Sequence, residues 1–398
     1  MLSGAFSPWP FYTEEESHAV SKVLLSNKVN YWTGKEGREF EKEFAKFAES
    51  KYAIAVSNGT TALDLAWIAL EIGDGDEVIV TSRTFLASVS SIVNARATPV
   101  FADVSLDSQN ITAESISKVL SDKTKAIVCV HLAGWPCDMD PIMELAEQRN
   151  LFVIEDCAQA HGAMYKGRSV GSIGHIGAWS FCQDKIMTTG GEGGMVTTND
   201  RELWSRMWSY KDHGKSWEAV YKKEHPPGFR WLHDSFGTNW RMTEMQAAIG
   251  RIQLTRMNDW SSKRLANANA IWNAAKQLNG LRTPHLSCDG CQNKCDQTNG
   301  CVHAAYKCYV FVEGTLGDRD AIMASINEQG VPCFSGSCSE VYQERAFDNT
   351  SFRPKERLCN AKILGETCLM FLCHPTLTED EVQKTCEVMT SVFKNYFG

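Results

Sequence analysis

A single lysine, Lys185, stands in the glycine-rich stretch SFCQDKIMTTGGEGG at 180–194, just after an apolar run. An amine placed there can attach covalently to a carbonyl cofactor and then carry protons, and the glycines let the backbone approach a ligand closely. Asp156 ends another apolar run, LFVIED, where a carboxylate is costly to bury without a cationic partner. Such an acid can keep a ring nitrogen protonated, as pyridoxal phosphate (PLP) requires, although a loop cap is the alternative role for Asp156.

Other polar and aromatic residues follow predicted strand ends and suit the rest of such a cofactor. Gly59 and Thr60 lie in SNGTTALDLAW, where a strand is expected to turn into a helix whose free N–H groups favour a phosphate. An ordinary helix cap is the alternative there. Ser180, five residues before Lys185, is a candidate phosphate hydroxyl. Phe85, in TSRTFLAS, is a candidate for stacking on a flat ring, with a core position as the alternative.

The elements that must position these residues are short apolar runs separated by helical patterns. Between residues 51 and 198 the runs are YAIAVS, EVIVTS, TPVFADV, KAIVCVHL, LFVIED, IGAWSF and GGMVTT. Continuous apolarity predicts strands buried on both faces, hence a mostly parallel α/β sheet with its ligands at the carboxyl ends of the strands. The segment GSIGHIG at 171–177 leads into a strand and opens no helix, so it does not indicate a dinucleotide site.

The rest of the chain predicts a second, smaller unit. A capping box at Thr13 and Glu16 opens a helix through about Leu25. Later segments predict long helical periodicity over 241–278, a strand in YKCYVFVE, a helix near 318–329 and an amphipathic helix after Thr378. Because 398 residues exceed one ordinary domain, we expect a large α/β domain over 1–255 and a small α+β domain over 256–398.

Composition excludes several classes of protein. The net charge of −8 argues against nucleic acid as the main partner. No apolar run approaches the ~20 residues that span a bilayer, and the first residues lack a secretory pattern, so we expect no membrane partner and a cytoplasmic location. The fifteen cysteines are odd in number and scattered, which suits a reducing compartment.

The motifs, taken in order over nearly the whole chain, resemble the DegT/StrS family of PLP-dependent nucleotide-sugar aminotransferases. The resemblance is carried by NYWTGKEGREFEKEFAKF, SNGTTAL, GDEVIV, TFLAS, VHLAGWPCDMD, EDCAQAHGA, YKGRSVGS, SFCQDKIMTTGGEGG and GTNWRMTEMQAAIGRIQL. It implies fold type I, the aspartate aminotransferase type, with a mostly parallel seven-stranded sheet. It also implies a homodimer whose active sites are shared across the interface.

The resemblance implies that Lys185 is the catalytic lysine that binds PLP covalently. It assigns the remaining cofactor contacts as follows: Asp156 to the pyridine nitrogen, Gln159 near the phenolic oxygen, Phe85 to the ring face, Gly59, Thr60 and Ser180 to the phosphate, and Asn239 to the phosphate of the other subunit. One branch of the family replaces the lysine by histidine and dehydrates its substrate, and Lys185 argues against that branch. The implied reaction takes the amino group of L-glutamate and delivers it to a nucleotide-linked ketosugar, with Lys185 as general acid and base.

The tail motif VPCFSGSCSEVYQERAFDN, with HLAGWPCDMD and SFCQDKIMTTGGEGG, looks most like the subgroup that aminates C-4 of dTDP-4-keto-6-deoxyglucose to dTDP-viosamine. The candidates for lining the sugar are Ser335, Ser337, Ser339, Glu340 and Tyr342. A structural turn of the small domain is an equal alternative for this motif.

Three alternatives differ in the reaction. A 3-keto nucleotide sugar would use the same site with amination at C-3. A PLP lyase or desulfurase would need a mobile cysteine such as Cys182, but no serine–histidine pair directly precedes Lys185. A non-catalytic PLP-binding protein should have lost Lys185 or Asp156, and both are present. The nucleotide, the position of amination and the pathway, O-antigen (lipopolysaccharide) or antibiotic sugar, stay open.

The chain departs from the family pattern at two places. TTGGEGG has one more glycine than the usual TTGEGG, which shifts Glu192 and leaves it without an assigned role. A cysteine-rich insertion contains four thiols and an imidazole of the kinds that zinc prefers: Cys288, Cys291, Cys295, Cys301 and His303. Because the paired C-x-x-C spacing occurs only once, we favour thiols without metal or a loop near the substrate.

Overall fold

The computed structural model describes residues 5–228, 230–284, 300–313 and 318–397. Its first part contains α1 (Glu14–Leu25), α2 (Glu36–Phe47), β1 (Tyr52–Val56), α3 (Gly59–Ala69), β2 (Glu77–Thr81), α4 (Ala87–Asn94), β3 (Thr98–Ala102), α5 (Ala113–Ser117), β4 (Thr124–Val130), α6 (Met139–Arg149), β5 (Phe152–Asp156), β6 (Met164–Tyr165), β7 (Arg168–Ser169), β8 (Ile176–Ser180), β9 (Gly194–Thr198), α7 (Arg201–Tyr210), α8 (Trp217–Tyr221) and α9 (Glu244–Thr255). The second part contains α10 (Met257–Ala275), β10 (Leu281–Arg282), β11 (Cys308–Val312), α11 (Asp318–Glu328), β12 (Cys333–Phe334), α12 (Cys359–Thr367), β13 (Cys368–Phe371) and α13 (Glu379–Phe397).

The central sheet has seven strands in the order β1-β9-β8-β5-β4-β2-β3. Strands β3, β2, β4, β5 and β8 are parallel, and β9 runs antiparallel to both of its neighbours. These seven strands are the seven apolar runs that the sequence predicted. The expected α/β class with a mostly parallel sheet is therefore confirmed.

Helices cover both faces of this sheet, which explains the continuous apolar runs. In β1, Ile54 and Val56 join the core with α3 and α4, whereas Ala53 and Ala55 join the opposite core with Phe44 of α2. The central strands alternate in the same way between the first core and a third cluster with α6. With helices on both faces, the edge at which the parallel strands end is the place left for a site.

The long helical pattern over 241–278 forms two helices with a break at Arg256. The Arg256 side chain turns to α1, where its Nη1 lies 2.7 Å from Glu16 Oε1 and its Nη2 lies 2.7 Å from Glu15 Oε2. Glu16 also closes the predicted capping box with Thr13, so α1 begins where the sequence indicated. The predicted domain boundary after residue 255 coincides with the break, and the division itself stays a prediction.

After the break, an antiparallel sheet in the order β10-β11-β13-β12 packs against α10, α11 and α13. The N-terminal segment joins this unit, because the Ser7 N–H donates to Glu381 Oε1 at 2.5 Å and Thr376 Oγ1 donates to the Pro8 carbonyl at 2.8 Å. Within the described ranges, no helix has the length and apolarity needed to cross a membrane.

The segment GSIGHIG has a structural role around the buried carboxylate of Glu155. The N–H groups of Gly171, Ile173 and Gly174 donate to this carboxylate at 2.6 to 2.9 Å, and His131 Nε2 lies 3.0 Å from it. Burial alone would raise the pKa of Glu155, but these partners hold it below its ordinary value. The glycines therefore surround an acid of the core, in agreement with the absence of a dinucleotide signal.

Candidate active site

The start of α3 meets the end of β8. Asn58 caps the helix, its Oδ1 accepting the Thr61 N–H at 2.9 Å, while the N–H groups of Gly59 and Thr60 donate to no residue that the structure describes. A Cβ added to Gly59 would lie 2.6 Å from Ser180 Cβ and 3.0 Å from its Oγ. Two unsatisfied N–H groups and a hydroxyl thus converge at a positive helix end, an arrangement that fits a phosphate.

Changing Gly59 to alanine is expected to weaken PLP binding by at least about tenfold, because the helix start must move away from Ser180. Equilibrium dialysis against PLP measures this change. Gly73→Ala is the matched control, since the nearest atom to its added Cβ is the Ala95 carbonyl oxygen at 3.6 Å. Equal PLP affinity in wild type and Gly59→Ala would contradict the phosphate site.

Asp156 ends β5 and is nearly buried, with 7% of its surface exposed. Its Oδ2 accepts from Ser88 Oγ at 2.8 Å, and its Oδ1 accepts the Ala158 N–H at 3.1 Å. In the part of the chain that the structure describes, no lysine, arginine or histidine pairs with this carboxylate. A fixed, buried acid without a cation is the partner that a protonated pyridine nitrogen requires. Ser88 was not predicted as a site residue, although it is the last residue of the motif TFLAS.

Phe85 and Gln159 supply an exposed ring and a free amide. Phe85 follows the end of β2 and is 72% exposed, so one of its faces can stack on a ligand. Gln159 is nearly buried, and its Oε1 accepts the Ala133 N–H at 2.8 Å. Its amide nitrogen donates to no other described residue, which leaves it available for an oxygen of the cofactor.

Lys185 lies in the loop after β8 with 17% of its side chain exposed. Its Nζ is 3.5 Å from Asp184 Oδ1 and 5.2 Å from the centre of the Tyr306 ring. Tyr306 donates its hydroxyl to the Asp184 carboxylate. Burial would raise the pKa of Asp184, but the Lys185 charge and the Tyr306 hydroxyl bring it below its ordinary value. Trp9 Nε1 donates to the Lys185 carbonyl at 2.8 Å, so the N-terminal segment holds the lysine loop.

His161, in the same motif as Asp156 and Gln159, lies close to Lys185. Its ring packs 5.3 Å from Trp179 and 5.6 Å from Phe181. Burial, and then the Lys185 charge, lower the pKa of His161 to about 3. The imidazole is therefore neutral at physiological pH and forms part of the apolar support of the site.

Three of the predicted sugar-lining residues are buried and have partners within the protein. Ser339 donates its hydroxyl to the Ala361 carbonyl. Glu340 accepts from Arg357 Nε at 3.0 Å and from Tyr342 Oη at 2.6 Å. The Tyr342 ring lies in the main core. The alternative of a structural turn accounts for these three without a ligand, and their role toward a sugar stays a prediction.

The other two, Ser335 and Ser337, lie beside a buried arginine. Ser337 Oγ accepts from Tyr309 Oη at 3.1 Å, and the Ser337 carbonyl accepts from Arg83 Nη1 at 3.4 Å. Ser335 is exposed. Because Arg83 follows β2 next to Thr84 and Phe85, this turn contacts the cofactor edge of the sheet, and these two serines stay candidates for the sugar.

Asn239 is exposed in the segment after α8 and pairs through its backbone with Asp212. Its expected reach into the other subunit stays a prediction. In the cysteine-rich insertion, Cys288, Cys291 and Cys295 lie outside the described residues. Cys301 is buried, and its Sγ accepts the N–H of Lys166 at 3.4 Å.

His303, the imidazole of that insertion, is also buried. Its Nδ1 accepts the Ala305 N–H at 2.8 Å, and its ring packs 5.2 Å from Trp272. Burial lowers the pKa of His303 to about 3. The interpretation of the insertion as a metal site or as thiols without metal stays open.

The residues at the sheet edge therefore fit PLP: a phosphate cradle, an acid for the ring nitrogen, an exposed aromatic ring and an amine. The sequence predicted each of these. It missed Asp184, Tyr306 and Trp9, of which only Asp184, next to Lys185, offered a signal. The other two come from distant parts of the chain.

Comparisons with known proteins cover nearly the whole chain. A sequence model of the DegT/DnrJ/EryC1/StrS aminotransferase family matches residues 10–390. The crystal structure of the aminotransferase from Psychrobacter cryohalolentis is 64% identical, with a TM-score of 0.94 over 99% of this chain and 100% of that chain. The GDP-perosamine synthase of Vibrio cholerae is 40% identical over 92% of this chain and 93% of its own length. The UDP-N-acetyl-3-dehydro-alpha-D-glucosamine 3-aminotransferase of Acidithiobacillus ferrooxidans is 34% identical over 93% and 91%.

One of these relatives is named as a 3-aminotransferase of a UDP-linked sugar and another as a synthase of GDP-perosamine, so the named relatives differ in the nucleotide and in the sugar. The family predicted from the motifs is confirmed. Because this is a family of aminotransferases, the match favours amino transfer over the lyase or desulfurase alternative. The chain belongs to the DegT/DnrJ/EryC1/StrS family of aminotransferases, which depend on pyridoxal phosphate.

Proposed function

We propose that this aminotransferase moves the amino group of L-glutamate to dTDP-4-keto-6-deoxy-D-glucose, giving dTDP-4-amino-4,6-dideoxy-D-glucose and α-ketoglutarate. The observation that carries the reaction class is that Asp156 and Ser180 end the neighbouring parallel strands β5 and β8, at the edge that holds the Gly59–Ser180 cradle and the loop with Lys185. The specific sugar rests on the tail motif at 331–349, and a dTDP-linked amino sugar also appears in the names of two relatives.

The residues divide the work as follows. When bound, PLP supplies an aldehyde that accepts the amino group and a ring that withdraws electrons. Asp156 holds a proton on the pyridine nitrogen, with Ser88 and the Ala158 N–H fixing both of its oxygens. Lys185 Nζ takes the proton from the donor α-carbon and, in the second half of the reaction, delivers a proton to the sugar carbon that receives nitrogen. In the first half of the reaction, a water molecule supplies the keto oxygen of α-ketoglutarate. In the second half, the keto oxygen of the sugar leaves as water, so the two half-reactions balance.

Asp184 and Tyr306, the neighbours of Lys185, are poorly suited to this proton transfer. The pKa of Asp184 lies below its ordinary value, which makes it a weak base. Burial and the adjacent Asp184 charge raise the pKa of Tyr306, so its hydroxyl keeps its proton at neutral pH. Lys185 is therefore the group at this edge that is suited to take and return a proton.

Asn239 and a homodimer belong to the same proposal. Trp231 and Phe236, in the segment before Asn239, are 84% and 99% exposed, and exposed aromatic side chains suit a subunit interface. Sedimentation equilibrium of the PLP-loaded enzyme tests this part, and the mass of a single chain would overturn it.

The substrate is tested by loading the enzyme with pyridoxamine phosphate and adding one ketosugar at a time. The panel contains dTDP-4-keto-6-deoxyglucose, its 3-keto isomer, GDP-4-keto-6-deoxymannose and UDP-N-acetyl-3-keto-glucosamine. We expect the first to give the highest kcat/KM, by at least about tenfold, with NMR placing nitrogen at C-4. Faster conversion of a 3-keto sugar would establish the alternative position, and preference for the GDP sugar would overturn the choice of nucleotide.

A further inference from the structure

A cavity of about 330 Å³ lies beside Lys185, between the N-terminal segment, the lysine loop and the C-terminal unit. Trp9, Tyr306 and Phe334 contribute aromatic walls, and Arg264 and Lys307 contribute two cations. The cofactor contacts predicted from the sequence do not include these cations.

Arg264 is the more unusual of the two. It lies in α10, only 2% of its surface is exposed, and its guanidinium donates no hydrogen bond to any described residue. No carboxylate of the described ranges lies within ion-pair distance, and the guanidinium carbon lies 4.7 Å from the centre of the uncharged Trp9 ring. Burial lowers the pKa of Arg264 to about 10, so it remains charged at neutral pH. A buried cation without a partner is costly, which indicates that an anion completes the site.

Lys307 reaches the same cavity from the start of the second sheet. Its ammonium lies 5.0 Å from the centre of the Tyr306 ring and donates no hydrogen bond to a described residue. Burial, with the neighbouring charges of Arg264 and Lys185, lowers its pKa. The Tyr306 ring thus contacts both Lys185 and Lys307, which places the Lys307 ammonium near the amine of the active site.

The remaining titratable groups of the cavity do not neutralise these charges. Asp184 is engaged by Lys185 and Tyr306. Burial, together with the nearby cations, lowers the pKa of His374 to about 4, so this imidazole is uncharged at neutral pH. The cavity is therefore net positive and has aromatic walls.

We propose that Arg264 and Lys307 bind the carboxylate groups of the dicarboxylic amino donor, with the Trp9 indole against its methylene groups. This inference rests on the proposed function, because it assigns the donor of that reaction to a place. Two separate cations match two carboxylates, and the cavity has the size of a small ligand rather than of a nucleoside diphosphate sugar. Trp9 Nε1 also donates a hydrogen bond to the Lys185 carbonyl, so the side chain that would contact the donor is connected to the loop that carries the amine.

The first readout is binding, independent of turnover. Glutarate, a dicarboxylate without an amine, is titrated calorimetrically into the PLP-loaded enzyme. We expect its Kd to rise by at least about tenfold in R264Q and in K307Q, and R264K to recover part of the affinity. K263Q, which changes the exposed neighbour of Arg264 on the same helix, is the matched control and should bind glutarate as wild type does.

The second readout separates donor from acceptor. In R264Q, the KM for L-glutamate should rise by at least about tenfold, while conversion of the ketosugar by enzyme preloaded with pyridoxamine phosphate changes by less than about twofold. A rise in the ketosugar KM instead would assign the cavity to the nucleotide phosphates and overturn the proposal. Unchanged glutarate binding in both variants would also overturn it. If R264Q does not fold, as judged by circular dichroism, glutarate binding by K307Q decides whether the proposal stands.

The two proposals can fail separately. If wild-type enzyme binds glutarate and consumes L-glutamate but aminates none of the four ketosugars, the proposed substrate is wrong and the donor site stands. If it aminates a ketosugar while R264Q and K307Q keep wild-type glutamate kinetics, the donor site is wrong and the function stands.

Discussion

Enzyme carrying Lys185→Ala is expected to transfer amino groups at least about a thousandfold more slowly than wild type. The change removes both the covalent attachment point and the proposed proton carrier. Asp184 and Tyr306 cannot substitute for it, because one is a weak base and the other keeps its proton. PLP should still bind, since the phosphate cradle and Asp156 do not depend on the lysine amine.

The measurement is the rate of aminosugar formation at saturating donor and acceptor, with PLP content determined by equilibrium dialysis. Borohydride reduction followed by peptide mass analysis should label Lys185 in wild type and leave the variant unlabelled. Lys118→Ala is the control, because Lys118 is exposed and, among the residues that the structure describes, pairs only with Glu114 one helical turn away. Partial recovery with added methylamine would separate loss of the amine from loss of the fold. A variant that keeps more than a tenth of wild-type activity would sink the assignment.

The sheet and its site edge were predictable for a common physical reason. Strands covered by helices on both faces must be apolar throughout, so all seven could be recognised as continuous runs. Parallel strands end at the same edge, so Asp156 and Ser180, each at the end of such a run, were expected to meet there. Gly59 was found for a similar reason, because a strand-to-helix turn leaves N–H groups free.

Contacts set by tertiary packing were not predictable. The helical periodicity continues through Arg256, whereas the structure ends α9 before this residue and begins α10 after it, with the Arg256 side chain paired to α1. Trp9 and Tyr306 reach Lys185 from positions 176 and 121 residues away, and no local pattern records that meeting.

Polar residues raise a related difficulty. Ser339 and Glu340 were predicted as ligand contacts, and each has a partner inside the fold that the sequence alone does not reveal. Arg264 shows the converse case. An arginine on a helix suggests a solvated face, and only the structure shows that it is buried with no acceptor among the described residues.

Changing Asp156 to asparagine should lower kcat by about a hundredfold to a thousandfold, with a smaller effect on PLP binding. An amide of nearly the same shape can still accept from Ser88, but it has no negative charge to keep the pyridine nitrogen protonated. Ser88→Ala is a milder change to the same hydrogen-bonded pair, and its kcat is compared with that of the Asp156 variant. It removes one hydrogen bond and leaves the charge, so its kcat should fall by only about tenfold.

An analogue of PLP methylated at the pyridine nitrogen distinguishes charge from position. Its ring is permanently positive, so it no longer needs an acid to hold a proton there. If Asp156 acts by holding that proton, the analogue should raise the kcat of an Asp156→Ala variant above the kcat of the same variant with PLP, because the smaller, uncharged side chain leaves room for the methyl group. If Asp156 were only a cap for the Ala158 N–H, the analogue would leave the kcat of this variant unchanged, and the variant would be less stable to heat than wild type. The two roles left open for a carboxylate at the end of β5 thus predict different results in one comparison of rates.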